Sequence, residues 1–335
     1  MQENATTPLI DRFNRRIEYL RMSVTSRCNL SCSYCVPAGK LSDNGGCDML
    51  SFRDLLFIAD VFARLGVRKV RVTGGEPLVR KGIEKFIAQL AETPGIDRLA
   101  LTTNGVMLAQ MAHSLKSAGL KAVNVSLDTF DREKYARVTG HDGLNNVLSG
   151  LNAAIDAGIE SVKLNVVVMK GVNDDELEKF AGYTIRNKIQ VRFIEFMPHT
   201  KGAWNAGQYM PVEDVKKRIE ALGALIPCSR EQWGGPARIY RLDGAQGEIG
   251  FISAVSRHFC WECNRLRITA DGKLLTCLFE GSALDLRSLL ESGASAERIS
   301  TAIKEALMGK WEARPGFDSN VNDAQGQVAM RHIGG

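Results

Sequence analysis

Cys28-Asn29-Leu30-Ser31-Cys32-Ser33-Tyr34-Cys35 sets three thiols at C-x3-C-x2-C spacing, directly after an apolar, strand-like run from Ile17 to Val24. Thiols this close together read as a metal site. Three thiolates suit a four-iron cluster, in which three irons take cysteine and the fourth is left without a protein ligand. Chemistry can take place at such an open iron. A structural zinc loop is the competing reading, but structural zinc is normally closed by four ligands, and no histidine lies in or beside this loop.

The 335 residues, 44% of them hydrophobic, can bury a substantial core, as one large barrel with an appendage or as two domains. A net charge of +5 is modest for this length. It makes an acidic ligand plausible, whereas a dedicated nucleic-acid binder would concentrate more charge, so small anions fit better. No apolar run approaches the roughly 18 residues of a membrane span, and the first residues, with Glu3 and Asp11, do not read as a signal peptide. A cytoplasmic protein with neither membrane nor nucleic-acid partner is expected. Eight cysteines in that compartment argue for metal or catalysis rather than disulfides. Six fall into two groups; Cys47 and Cys228 stand alone and read as ordinary small residues.

Working outward from the cysteine loop, a polar tail to about Asn14 gives way to a repeated pattern of β-branched run, turn and amphipathic helix. Strands are expected at Ile17 to Thr25, Lys69 to Thr73, Arg98 to Thr102, Ala122 to Asp128, Val162 to Met169 and Gln190 to Met197. Ser51 with Asp54 resembles a capping box opening a helix through Leu65, which ends at Gly66. Gly119 and Gly158 end helices, and Asp174 begins one. Six such units predict a parallel sheet with right-handed crossovers, an incomplete (β/α)6 barrel with an open side.

One face of these strands is polar throughout: Arg21, Ser23 and Thr25; Lys69, Arg71 and Thr73; Thr102 and Asn104; Asn124, Ser126 and Asp128; Lys163 and Asn165; Arg192. Parallel sheets rarely expose a face, so this set is expected to line a lumen. Arg21, Lys69, Arg71, Lys163 and Arg192 would converge there, and buried cations need anions. A triphosphate supplies them, with arginine giving bidentate contacts and lysine a point charge.

Thr73-Gly74-Gly75-Glu76-Pro77 closes the second strand at the barrel end where loops carry function. Adjacent glycines let a ligand approach the backbone closely, although a glycine pair alone often marks only a turn. After a C-x3-C-x2-C loop with an aromatic residue before its last cysteine, this Gly-Gly-Glu-Pro stretch resembles the signature of radical S-adenosylmethionine (SAM) enzymes. The resemblance implies a [4Fe-4S] cluster on Cys28, Cys32 and Cys35 whose open iron chelates SAM. It also implies SAM contacts at Tyr34, Gly74, Gly75, Glu76, Ser126 and Met197.

Beyond Met197 the rhythm stops. A helix from Val212 to Leu222 and short strands such as Arg238 to Leu242 and Gly250 to Ser253 predict a mainly antiparallel appendage. It holds Cys260, Cys263 and Cys277 at C-x2-C-x13-C spacing. Asp271-Gly272 signals a hairpin that would set Cys277 opposite Leu266, bringing three thiols together with Arg265 and Arg267 on one face beside them. From spacing alone a second cluster and a Cys3His zinc site completed by His258 are equally served.

The two cysteine groups, the Gly-Gly-Glu-Pro stretch, the run Cys260-x2-Cys263-Asn264-Arg265-x-Arg267 and the terminal Gly334-Gly335 together resemble the GTP 3′,8-cyclase family of molybdenum cofactor biosynthesis. The resemblance implies GTP contacts at Arg21, Arg71, Thr102, Lys163, Arg265 and Arg267, to which the cation pattern adds Lys69 and Arg192. It implies a second [4Fe-4S] cluster on Cys260, Cys263 and Cys277 that binds the guanine base, and a Gly334-Gly335 tail inside the active site, anchored from outside by Arg331 and His332. The implied reaction is abstraction of H3′ from GTP by a 5′-deoxyadenosyl radical and closure of a C3′–C8 bond. A flavodoxin-like reductant, and cyclic pyranopterin monophosphate synthase as the next enzyme, are implied partners of a monomer or homodimer. The expected divisions are a tail 1–14, a barrel 15–210, a region 211–325 with the second cluster, and a tail 326–335. A peptide-modifying radical SAM enzyme and a zinc-stabilised nucleic-acid-binding module are the alternatives.

Overall fold

The computed structural model of the chain describes residues 8–35, 49–199, 203–229, 234–313, 328 and 330–334. Six strands lie parallel and side by side in chain order: β1 (Tyr19–Ser23), β2 (Lys69–Thr73), β3 (Arg98–Thr103), β4 (Ala122–Ser126), β5 (Ser161–Val168) and β6 (Gln190–Glu195). The crossovers are α1 (Phe52–Arg64), α2 (Ile83–Ala91), α3 (Leu108–Ser117), the pair α4 (Arg132–Thr139) and α5 (Leu144–Asp156), and α6 (Leu177–Arg186). The expected (β/α)6 arrangement is present. Its helices begin and end for local reasons. The Ser51 hydroxyl accepts from Asp54 N while the Asp54 carboxylate accepts from Ser51 N, a capping box worth about 1 kcal/mol. Leu55, Ile58, Ala59 and Phe62 then form the buried stripe of α1.

Successive strand residues divide between two buried faces. Leu20, Met22, Val70, Val72, Leu99, Leu101, Val123, Val125, Leu164, Val166, Val191 and Phe193 join one apolar core with the helices. Their neighbours along each strand point the other way, into the lumen.

Six further strands do not hang beside the barrel as an appendage; they extend its sheet at both edges. These are β7 (Leu225–Pro227), β8 (Arg238–Leu242), β9 (Glu248–Ile252), β10 (Arg265–Ile268), β11 (Lys273–Leu275) and β12 (Leu284–Asp285). The order is β12-β11-β10-β1-β2-β3-β4-β5-β6-β9-β8-β7. β9 pairs parallel with β6, β10 pairs parallel with β1, and the outer four pair antiparallel. Because β9 and β10 follow one another in the chain yet lie on opposite edges, the connection 253–264 crosses the open side of the barrel.

Two expectations change. The β10–β11 turn is a three-residue loop, not the two-residue Asp271-Gly272 turn: Thr269 N donates to Lys273 O at 2.9 Å and Gly272 adopts φ +91°. Arg267 then faces Leu275, which brings Cys277 level with Arg265 rather than Leu266. Residues 8–14, expected as the end of a polar tail, are folded: Leu9 is buried against Leu65, and its N–H donates to Leu65 O at 3.0 Å.

Candidate active site

The loop after β1 is moulded by its own backbone. Cys35 N donates to Cys32 O at 2.9 Å, and Ser31 N and Ser33 N donate to Thr139 O and Val138 O at the end of α4. Leu30 N donates to Cys28 Sγ at 3.4 Å, and Asn104 Nδ2 approaches the same sulfur at 3.9 Å. Cys28, Cys32 and Cys35 line one cavity together with Tyr34, Thr73, Gly74, Gly75, Thr102, Ser126, Asp128, Met197 and Arg331. Burial pushes Cys35 up to about 11. Iron overrides that, since a coordinating thiol is deprotonated outright. The donor set fits a cluster: three thiols in one cavity wall, with amide donors beside one sulfur.

Tyr34 is held by a hydrogen bond from its hydroxyl to Asp128 Oδ2 at 2.7 Å, and Asp128 Oδ1 in turn accepts from Val167 N. Burial raises Asp128 to about 6. The glycine pair lines this cavity and is also pressed by neighbouring chain. A Cβ on Gly74 would lie 2.6 Å from Thr25 O, and one on Gly75 2.3 Å from Arg27 O. It is the chain just before the cysteine loop that comes close to these glycines; Gly75 N donates to Thr25 O at 2.7 Å and Glu76 N to Arg27 O at 2.8 Å. Glu76, expected among the SAM contacts, turns away from the cavity. Its buried carboxylate accepts from Leu78 N, Thr103 Oγ1 and Asn104 N, and burial takes it up to about 7.

A second cavity is lined by Arg21, Lys69, Arg71, Lys163, Arg192, Arg265 and Arg267, with Cys260, Cys263 and Cys277 in its wall and no carboxylate among its described lining residues. The five expected cations converge, and strand register explains how. Across β10, β1 and β2 the rows are Arg265–Tyr19–Lys69 and Arg267–Arg21–Arg71. Burial lowers Lys69, and Arg71, Lys163 and Arg192 lower it further against the opposing effect of Tyr19, leaving it at about 7. Burial likewise takes Arg21 down to about 10. Such a chamber is suited to a polyanion. Thr102 borders the other cavity and reaches this set through Arg71, whose Nη1 donates to Thr102 Oγ1 at 3.3 Å.

Tyr19 was missed by sequence reasoning, though it shares the parity of Arg21. Its hydroxyl accepts from Arg71 Nε at 2.6 Å, and Lys69 lies 4.3 Å from its ring centroid. Burial raises its pKa, but Arg71, Lys69 and Arg21 outweigh that and hold it well below the usual tyrosine value.

Around the second thiols, burial raises Cys263, yet Arg265 and Lys310 bring it down to about 6. Arg265 stacks over Phe259 at 4.9 Å. His258 also lines the chamber. Among the described residues no three His, Cys, Asp or Glu side chains are grouped tightly enough to hold a single metal ion at either thiol set. A cluster asks less convergence, since each thiolate binds a different iron. Cys228 lies beside the edge strand β7, and Cys47 falls outside the described residues.

The segment Met330–Ile333 forms a short helical turn at the junction. Met330 lines both cavities and Arg331 the first, so Arg331 is inside the site rather than an outer anchor. Gly334 O accepts from Arg267 Nη1 at 3.3 Å. Gly335 lies outside the described residues. Among them, no helix is long and apolar enough to cross a membrane.

The Radical SAM superfamily model matches residues 22–183, and the Molybdenum Cofactor Synthesis C model residues 189–314. A GTP 3′,8-cyclase of Thermodesulfovibrio yellowstonii is 47% identical over 299 residues, covering 89% of this chain and 92% of its own. That of Heliobacterium modesticaldum is 45% identical over 333 residues, covering 98% and 100%. That of Moorella thermoacetica is 41% identical over 325 residues, covering 97% and 99%. Among solved structures, Streptococcus suis SuiB bound to precursor peptide SuiA superposes with a TM-score of 0.62 at 14% identity, covering 94% of this chain and 69% of that one. SuiB bound to S-adenosylmethionine gives 0.59 at 15%, covering 83% and 67%. Those two are likenesses of fold; the curated relatives are likenesses along nearly the whole sequence. The chain therefore belongs to the radical SAM superfamily and, within it, to the GTP 3′,8-cyclase family.

Proposed function

We propose that the chain converts GTP to (8S)-3′,8-cyclo-7,8-dihydroguanosine 5′-triphosphate, the first step of molybdenum cofactor biosynthesis, using SAM as its radical source. The observation that carries this is the junction of the two cavities: Asn165, Ile194, Met197 and Met330 line both. A ligand at the thiol end and a polyanion at the cation end would meet there. Cys28, Cys32 and Cys35 hold a [4Fe-4S] cluster, and Cys260, Cys263 and Cys277 hold a second. The first cluster, when bound, supplies the electron that turns SAM into methionine and a hydrogen-abstracting 5′-deoxyadenosyl radical.

The protein's own share is placement and exclusion of water. Tyr34, Gly74, Gly75, Ser126 and Met197 shape the SAM end, while Glu76 braces the β2–β3 loops behind it. Arg21, Lys69, Arg71, Lys163 and Arg192 take the triphosphate, with Thr102 orienting Arg71. Arg265 lines the chamber beside the second thiols. Arg267 both faces the chamber and holds Gly334, so the chain at Gly334 closes the site over the substrate. The connection 253–264 shuts the open side. The division at about residue 210, a flavodoxin-like electron donor, hand-over to cyclic pyranopterin monophosphate synthase, and a cytoplasmic monomer or homodimer complete the reading.

The test is an anaerobic incubation with SAM, dithionite and GTP deuterated at C3′, followed by mass spectrometry. The reading requires deuterium in 5′-deoxyadenosine and the cyclised nucleotide as product. Unlabelled 5′-deoxyadenosine with intact GTP would overturn it.

A further inference from the structure

Lys310 follows the helix Ala296–Met308 and is 2% exposed. Its ammonium donates to Arg265 O at 3.2 Å and to Thr276 O, and lies 3.7 Å from Cys263 Sγ. Those are its partners among the described residues, and none is a carboxylate. An ammonium taken out of water needs compensating charge, and two carbonyl dipoles supply only part of it. The neighbour able to supply a full negative charge is Cys263 as a thiolate, the form in which sulfur binds metal.

The two carbonyls matter as much as the sulfur. Arg265 opens β10 two residues after Cys263, and Thr276 follows β11 one residue before Cys277. One ammonium therefore ties together the strand ends that carry two of the three second-group thiols. Arg265, the other cation beside Cys263, stacks on Phe259 and faces the substrate chamber. Lys310 lies outside the chamber lining, so its charge stays with the sulfur whatever the chamber holds.

We infer that Lys310 is a positioning residue for the second cluster: it fixes Cys263 and Cys277 on adjoining strand ends and acts as the cluster's buried counter-ion, raising its reduction potential. This rests on the second-cluster reading given above. Adding an electron makes the cluster more negative, so a fixed ammonium stabilises the reduced form more than the oxidised one.

The experiment is an EPR-monitored redox titration of the anaerobically reconstituted full chain. Wild type must first show about eight irons and eight sulfides per chain; about four would remove the second cluster itself, and the inference with it. Lys310→Met should shift the reduction equilibrium of the second cluster about tenfold towards the oxidised form, a potential lower by about 59 mV for one electron, with the first cluster unmoved. An unchanged second potential overturns the inference. Should Met deplete the second cluster, Lys310→Gln, neutral but able to reach the two carbonyls, decides. A lowered potential, or loss of that cluster alone in both variants, supports the counter-ion role; a wild-type potential in Gln refutes it.

Discussion

Gly334→Ala is the sharpest perturbation the geometry offers. A Cβ at this position would lie 1.9 Å from Thr73 Oγ1, 2.6 Å from its Cγ2 and 2.7 Å from its Cβ. Thr73 ends β2 and is 1% exposed, and its β-branched side chain is restricted at χ1. Gly334 also adopts φ +65°, which costs alanine roughly 1 kcal/mol even without contacts. The segment must leave its seat, losing the hydrogen bond from Arg267, worth about 1.5–3 kcal/mol as one to a charged donor. The strain and the overlap with Thr73, the latter worth roughly 1–3 kcal/mol as overpacking, together come to about 3 kcal/mol, which lowers the seated population about 100-fold. Product formation under single turnover should fall by a similar factor, while iron content, Tm and GTP affinity stay close to wild type. Thr73→Ala in the same chain removes the two atoms beyond Cβ and should recover part of the rate, read as a coupling against each single variant. A Gly334→Ala enzyme cyclising GTP at the full rate would refute the seated-tail reading.

Serine at Cys28, Cys32 or Cys35 should abolish SAM cleavage and leave the second cluster's iron, whereas serine at Cys260, Cys263 or Cys277 should halve the iron and leave uncoupled SAM cleavage; iron analysis with 5′-deoxyadenosine assay separates the two. Arg71→Ala and Lys163→Ala should each weaken GTP binding by roughly 1.5–3 kcal/mol in calorimetry and change SAM binding far less; equal losses would reassign these cations. In the free chain Lys69 is held at about 7, and a bound triphosphate raises it. Below pH 7 Lys69 is charged in both states, so this group adds no pH dependence. Above pH 7 binding takes up a proton, and Kd should rise by up to tenfold per pH unit until the bound-state pKa is passed. Lys69→Met should flatten that slope; a flat wild-type profile would refute the assignment.

The barrel and the lumen were legible in the sequence because both depend on period-two alternation. Strand parity alone put Arg21, Lys69, Arg71, Lys163 and Arg192 on one face, and they line one chamber. Tyr19 has the same parity, but an aromatic at a strand start reads as core, and its bond from Arg71 and the Lys69 ammonium over its ring show otherwise. Pairing between distant strands was not legible. Nothing local in Glu248–Ile252 or Arg265–Ile268 says that each joins an edge of the barrel in parallel. Lys310 has no sequence signal at all, since its partners are two backbone carbonyls and a thiol more than thirty residues away. Glu76 shows the opposite limit: its motif was recognised, yet its carboxylate serves three neighbouring donors rather than the cavity.

The C-terminal region is better described as the wall that makes the barrel a chamber. Glu195, at the end of β6 and 1% exposed, accepts from Val212 N through one carboxylate oxygen and from Val255 N and Ser256 N through the other, at 2.7 to 2.9 Å. It therefore fixes the start of the connection 253–264 two residues before Met197, a residue that lines both cavities. The far end is fixed by Arg15, held by Asp11 and donating to Cys260 O at 2.7 Å and Glu312 O at 2.8 Å. Both anchors are buried charged side chains that bind backbone groups of the connection, Arg15 with Asp11 as its counter-charge. The connection they stretch across the open side carries Cys260 and Cys263, and the cavity carrying Cys28, Cys32 and Cys35 meets this chamber at Met197 and Met330. Met197 and Met330, with Asn165 and Ile194, form the wall that the two cavities share. That places the geometry of one chemical step under the control of residues from both halves of the chain.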